Sequence, residues 1–470
     1  MSIDRRRFLG SLATSLASAA ACSVPAVPLP VFRPEDYGAR GDGVTDDSDA
    51  LRRAAAALSL AGGGTLRLAR AVYLVGRQRP GGAGNYAWEP SPLIEIGGCR
   101  DPVVIEGNGA TLRCADGLRY GTFDRASGMP VAHPQPYYAT DQLATPYRAM
   151  IRVDGCSGSI TIADLELDGR RGAARIGGPF GDTGWQVPAT GLMLGENRGL
   201  VTVTDLHSHH HLLDGIILDG DDRNGGAVRL SRVQAEDNGR QGLSMVGGRD
   251  ITVAASRFVR NGKGRAGSRP GAGIDIEAER HPVRDVHLAD CVMSDNAGCG
   301  LLAAEGDSAR ITVSRCTMVG TADWSAWPNR PNMRFEGCTF VGALTNAYGS
   351  ADASAAAQFR DCLFTDRGSL APGGRVYGGD NPSRPLAILP YSQHARFTHC
   401  RFEAQDSCVL PWSVGVTYDG CTMVQAGRKT SYPRGTFVGV NRITGPADLA
   451  GANIAGRLTL NGRIMPPGRV

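Results

Sequence analysis

Lysine is almost missing from this 470-residue chain: only Lys263 and Lys429 occur, and arginine carries nearly all of the positive charge. Aromatic residues make up 6% and charged residues 20%. That scarcity argues against a charge-laced helical bundle and favours short strands between tight turns. The formal net charge of +4 is small for this length. Without a dense basic stripe, nucleic acid is excluded as a partner, whereas an anionic glycan is permitted. No apolar run is long and strong enough to span a membrane stably. Glycine, by contrast, is abundant at 64 residues, beside 27 prolines and 42% hydrophobic residues. Frequent turns around a substantial core suit a solenoid, which can exceed the usual domain size.

Residues 1–30 read as targeting material. Asp4-Arg5-Arg6-Arg7-Phe8-Leu9-Gly10 is similar to a twin-arginine export signal, and a weakly apolar Ala/Ser/Leu stretch follows. A periplasmic or secreted protein is the expectation. Ala19-Ala20-Ala21-Cys22 offers a small-residue cleavage site, with a lipid anchor on Cys22 as the alternative.

Twelve cysteines in an exported chain suggest disulfides, but their spacing points elsewhere. Cys291, Cys316, Cys338, Cys362, Cys400 and Cys421 each precede an apolar residue two places on, and they lie 25, 22, 24, 38 and 21 positions apart. A period near 23 with one long step is a solenoid carrying an insertion. The thiols then stack inside the coil as small hydrophobes. A second register runs through Gly191, Gly215, Gly242, Gly273 and Gly300, each opening a strand with apolar residues at the first and third following positions. Positions two and four are expected to face solvent. A third register, His211, Asn238, Asn261 and Asn296, outlines an asparagine ladder at a turn.

Upstream, Asp36-Tyr37-Gly38-Ala39-Arg40-Gly41-Asp42-Gly43-Val44-Thr45-Asp46-Asp47 leads into an Ala- and Leu-rich helix ending near Leu60. Gly62-Gly63-Gly64-Thr65-Leu66-Arg67-Leu68 and Val72-Tyr73-Leu74-Val75 follow. This order of turn, helix and strands resembles the opening of pectate-lyase-like β-helix proteins, the superfamily of pectate lyases, polygalacturonases and phage tailspike depolymerases. The resemblance implies an all-β, single-stranded right-handed parallel β-helix with an N-terminal capping helix. The divisions expected are 1–30 signal, 31–147 cap and first coils, 148–425 coils with groove-forming loops, and 426–470 C-terminal coil or cap.

The outward positions suggest a site. Asp219, Asp275 and Glu277 fall on one solvent-facing sheet, with Asp219 and Glu277 two coils, roughly 10 Å, apart. Such a pair suits acid and base on either side of a glycosidic bond, and the three acids together suit Ca²⁺. Two long turns, 169–190 and 262–272, wall the sheet with Lys263, Arg265, Arg269 and Trp185, and Arg240 and Arg257 lie nearby as further anion-binding candidates. Trp324 and Trp327 offer stacking platforms. Asp221 and Asp222 follow Asp219 at a turn, where local capping explains them equally well. In the cluster His207, His209, His210 and His211, alternation along a strand lets at most two rings meet one ion, and His209 is the candidate base.

Comparison within the superfamily leaves the reaction open. Asp221-Asp222 is similar to the paired aspartates of polygalacturonases, but no Gly-His-Gly or Arg-Ile-Lys follows. Asp214-Gly215-Ile216-Ile217-Leu218-Asp219 is similar to a segment of mannuronan epimerases, which implies a catalytic acid at Asp219, although Leu192-Met193-Leu194-Gly195-Glu196 stands where their Asp-Pro-His-Glu belongs. The leading expectation is a polysaccharide lyase acting on a uronate-containing polysaccharide. An inverting glycoside hydrolase, a uronate epimerase and a non-catalytic glycan-binding or envelope-structural β-helix are the alternatives.

Overall fold

The computed structural model describes residues 28–81, 86–136, 143–405 and 407–470. Residues 1–27, which hold nearly all of the targeting segment and Cys22, lie outside them. Among the described residues no helix is long and apolar enough to cross a membrane.

The chain winds into a right-handed parallel β-helix whose coils each contribute to three stacks of parallel strands. Sheet I contains Ala149–Asp154, Thr190–Gly195, Ile216–Asp219, the start of Leu243–Ala254, Ile274–Ile276 and Leu301–Ala303, paired in that order. Sheets II and III are the first and second halves of long strands such as Ile160–Asp168 and Val201–His209, which separate into shorter ones further along. The bend between those halves falls on residues in the left-handed region, among them Asp164, Asp205, Arg232, Asp290 and Arg315. The last coils end in two antiparallel pairs, Ala452–Ile454 with Gly468–Arg469 and Arg457–Leu460 with Arg463–Ile464.

Each sequence register has a physical counterpart. The six ladder cysteines are buried with free thiols, so the interior packs sulfur against sulfur and carbonyl without cross-links. Thiol titration of denatured, unreduced protein should therefore find at least these six free; a count near zero would replace packing by disulfides. The scarce aromatics are concentrated in the core, where Phe335, Phe359 and Phe397 stack at 4.9 and 4.7 Å. Phe340, Phe364 and Phe402 form a second column at 4.6 and 4.7 Å.

The asparagine ladder is fully buried. Asn238 Oδ1 accepts the His211 N–H at 3.0 Å, Asn261 Oδ1 the Asn238 N–H at 3.1 Å, and Asn296 Oδ1 the Asn261 N–H at 2.9 Å. The residue before each rung, His210, Asp237, Arg260 or Asp295, adopts left-handed backbone. That reversal turns the rung inward. The leading glycines make room for it, since a Cβ on Gly215, Gly242 or Gly273 would lie 2.7–2.9 Å from the Nδ2 of Asn238, Asn261 or Asn296. Asn261→Ala leaves the Asn238 N–H and one Asn238 amide hydrogen without an acceptor. At roughly 1–3 kcal/mol for each buried unsatisfied group, the loss should be about 3 kcal/mol, read as a lower denaturation midpoint.

One helix, α1 (Ser48–Leu60), packs Leu51, Ala54, Ala55 and Leu58 against the first coil, contacting the strands at 31–32, 64–67 and 94–97. A small second sheet was not expected. It joins Gln78–Pro80, Tyr86–Pro90, Arg119–Thr122, Leu143–Ala144 and Arg175–Ile176, all from excursions of the early coils.

Candidate functional site: an acid and arginine cleft on sheet I

The turn 169–190 leaves the coil between sheets III and I, as does 262–272 three coils further on. They meet, as their sequence positions suggested: Gln186 Nε2 donates to the Arg269 carbonyl at 3.1 Å. Against this wall, the outer face of sheet I forms a cleft of about 420 Å³ lined by Arg148, Arg152, Met193, Ile217, Asp219, Arg240 and Glu279 among others. It shares Arg148 and Ala149 with a second hollow of about 350 Å³ bearing Arg79, Glu89 and Glu95. The two together make a groove along the solenoid.

The floor is set by strand parity. Outward position two reads Arg152, Met193, Ile217, Ser244, Asp275 and Leu302 on successive paired strands. Position four brings Asp154, Gly195, Asp219 and Gly247 into line. Asp219 and Glu277, expected two coils apart on one outward row, do not line up. A register shift after Leu218 extrudes Val246 and sets Asp219 opposite Gly247. Glu277 follows the end of its strand, donating its backbone N–H to Met245 O at 3.1 Å. Glu279, tied to the Val246 carbonyl by its own N–H, is the glutamate that reaches the cleft.

Asp219 and Asp275 also depart from the expectation of open, solvent-facing acids, for their exposures are 8% and 2%. Outward on the sheet is still inward beneath the turns. Asp219 Oδ2 accepts Arg280 Nη2 at 2.5 Å, while its buried Oδ1 has no hydrogen-bond partner. Asp275 accepts Gln241 Nε2 at 2.7 Å, and Gln241 is itself anchored by the Ala272 N–H. Burial pushes the Asp275 carboxyl up to about 7; neighbouring Glu277 adds to the rise and Arg240 opposes it.

Arg240 is the hub. Its Nε stands 3.7 Å from Asp214 Oδ1, without a hydrogen-bond acceptor of its own. Burial works against its charge, but Asp214, Asp275, Glu277 and Glu279 outweigh that and raise its pKa. Asp214 is fully buried and its pKa is raised by that burial, against the pull of Arg240 and hydrogen bonds from the Gln241 N–H and Ser244. Glu279 is raised too, first by burial, with Arg240 again opposing.

The other expected site residues are dispersed. His209 lies on sheet III, not beside Asp219; its Nε2 meets Glu166 Oε1 at 3.0 Å. Arg257 is exposed on the same sheet, between Gln234 and Val292. Lys263 pairs with Asp295, whereas Arg265 and Arg269 are exposed on the wall. Trp185 is turned away from a stacking role: its indole N–H donates to Gly177 O at 3.1 Å and its ring packs on the core, because its turn adds a strand to the small sheet. Asp221 caps its own turn through the Arg223 N–H and Asn224 Nδ2. The ligand atoms of Asp219, Asp275 and Glu277 do not converge within 4.8 Å of one another in this arrangement.

Sequence reasoning passed over Asp214, Glu279, Arg280, Arg148 and Arg152. Asp214 did carry a signal, being an acid directly before the leading glycine, where the other coils have Thr190, Gln241, Ala272 and Cys299. Arg280 had none, as it reaches Asp219 across 61 positions.

No family model matches the sequence, and no curated protein matches it. Solved structures do share the fold. Among them is the A-module of the Azotobacter vinelandii mannuronan C-5 epimerase AlgE4, at 17% identity and TM-score 0.46, covering 91% of this chain and 100% of that one. Another is the tailspike gp49 of Acinetobacter baumannii bacteriophage Fri1, a capsular polysaccharide depolymerase, at 14% identity and TM-score 0.40, covering 89% and 63%. A third is PfbA, a surface adhesin of Streptococcus pneumoniae, at 11% identity and TM-score 0.42, covering 92% and 94%. The shared feature is the β-helix. Identities this low assign no reaction, and an enzyme and an adhesin stand side by side.

Proposed function

We propose that this protein is an exported carbohydrate-active enzyme that cleaves an acidic, uronate-containing polysaccharide by elimination in the sheet I cleft. The observation that carries this reading is Asp219: one carboxylate oxygen is held by Arg280 and the other is left without a partner at a floor shared with Arg148, Arg152 and Arg240. An uncompensated acceptor there costs stability, as groups kept for chemistry do. Elimination requires a base to take the C5 proton, charge stabilisation on the adjoining carboxylate, and departure of the 4-oxygen. Asp219 accepts the C5 proton as the C4–O4 bond breaks, a water gives its proton to the departing 4-oxygen, and the arginines hold the uronate carboxylate as negative charge builds on it.

A second reading, inverting hydrolysis, is favoured by one observation: Glu279, whose carboxyl is shifted towards its protonated form, lines the same cleft as Asp219. The test is incubation of purified mature protein with uronate-containing and neutral polysaccharides, with and without EDTA. Ultraviolet-absorbing unsaturated products from the acidic substrates alone, insensitive to EDTA, are expected. Turnover confined to neutral glycans would overturn the reading.

The exposed wall gives a separate prediction. Replacing Arg265 and Arg269 with Gln should weaken retardation of an acidic polysaccharide in affinity electrophoresis and flatten its salt dependence, because exposed charges are screened over about 10 Å at 0.1 M. Unchanged retardation at low salt would place the glycan elsewhere on the surface.

A further inference from the structure

On the outer face of sheet III, away from the cleft, imidazoles and carboxylates converge. Ile160–Asp168 and Val201–His209 pair in parallel so that Glu166 faces His207 and Asp168 faces His209. Residues two apart on a strand share a side, so both histidines point outward beside both acids. Ligand atoms of Glu166, His207 and His209 all lie within 4.8 Å of one another. The two rings are 4.2 Å apart between centroids, and His209 Nε2 is 3.0 Å from Glu166 Oε1.

We propose that Glu166, His207 and His209 bind one divalent transition-metal ion of the zinc class. In a tetrahedral site with bonds of about 2.0–2.1 Å the donor atoms sit roughly 3.3 Å apart. The Glu166–His209 pair already has that separation, and His207 closes it by a side-chain rotation. The surroundings hold the ligands by their other atoms, as metal-bound imidazoles and carboxylates usually are held. Thr111 Oγ1 donates to Glu166 Oε2 at 2.6 Å. His207 Nε2 meets Glu236 Oε1 at 2.9 Å, and Arg260 fixes the other oxygen of Glu236 at 2.8 Å. His209 Nδ1 is held by His210 Nδ1 at 2.7 Å. Two nitrogen donors and one carboxylate select Zn²⁺, Co²⁺ or Ni²⁺ over the oxygen-seeking Ca²⁺ and Mg²⁺. Glu166 and His207 are each about one-third exposed, which leaves the outer side of the site open to a water or a ligand. The ion would join two successive coils, so binding should stabilise the solenoid.

The test uses tag-free mature protein, stripped with EDTA and dialysed. Titration with Zn²⁺, and with Co²⁺ followed by its visible absorption, should saturate at one ion per chain and raise the melting temperature, while Ca²⁺ should do neither. His209→Ala and His207→Gln should each weaken Zn²⁺ binding at least tenfold, and Asp275→Asn, in the cleft, should leave it unchanged. Circular dichroism of each variant separates lost binding from lost fold. Absence of saturable binding by the folded wild type, or equal affinity in the folded His207→Gln and His209→Ala proteins, would overturn the proposal.

Discussion

Asp219→Asn should lose at least about a hundredfold in turnover of an acidic polysaccharide while keeping the wild-type melting temperature within a few degrees. Asp219 has one hydrogen-bond partner, Arg280, whose side chain is 61% exposed. An exposed partner weakens the ion pair to about 1 kcal/mol or less. The amide oxygen still accepts from Arg280, so the fold hardly registers the change. What is removed is the proton acceptor, and general acid–base groups typically supply roughly 10²–10⁴-fold in rate. Activity and stability should therefore separate. Glu277→Gln, which the sequence placed beside Asp219, should by contrast have the smaller effect, because Glu279 is the acid that lines the cleft.

Arg240→Met should have the largest effect on stability, and that effect should grow with pH. Arg240 is the cation among Asp214, Asp275, Glu277 and Glu279. Removing one partner of a buried charge set costs about 3–5 kcal/mol. The sign of the pH dependence follows from Asp275. Its folded-state pKa of about 7 lies above the ordinary carboxylate value, so the folded protein binds the extra proton. This group therefore costs nothing in strong acid and lowers stability progressively as pH rises through the window up to about 7. Without Arg240, which holds that pKa down, the penalty in alkaline solution deepens. Denaturation midpoints of the two proteins should lie closer at pH 5 than at pH 8. A gap that is constant with pH would mean that Arg240 acts through packing alone.

The solenoid was legible because its rules are local. A thiol followed two places on by an apolar residue, a glycine opening each strand and a polar rung at each turn are read within a few positions of sequence, and all three appear as buried ladders. The site was legible only in part. Parity correctly sent Asp219 and Asp275 to the outer face of sheet I, but outward is not exposed when turns of 22 and 11 residues bend over the strand. The register shift at Val246 moved Asp219 out of line with Glu277, and its local signal, the in-strand pair Gly247-Gly248, was passed over. His209 was misplaced for a different reason. The corner between sheets III and I comes just after it, at His210 with φ of 55°, so His209 belongs to the sheet before the corner and Asp219 to the sheet after it. The small second sheet escaped notice because its strands are two to five residues long and pair across separations from 8 to 57 positions through excursions of unequal length.

The most direct test of the cleft as an eliminating active site is mass analysis of the products made from a polyuronate by the wild type and by Asp219→Asn under the same conditions. Wild-type products should be oligouronates one water lighter than hydrolysis would yield, and the folded variant should release almost none. Saturated oligosaccharides from the wild type, or undiminished unsaturated product from Asp219→Asn, would contradict the account.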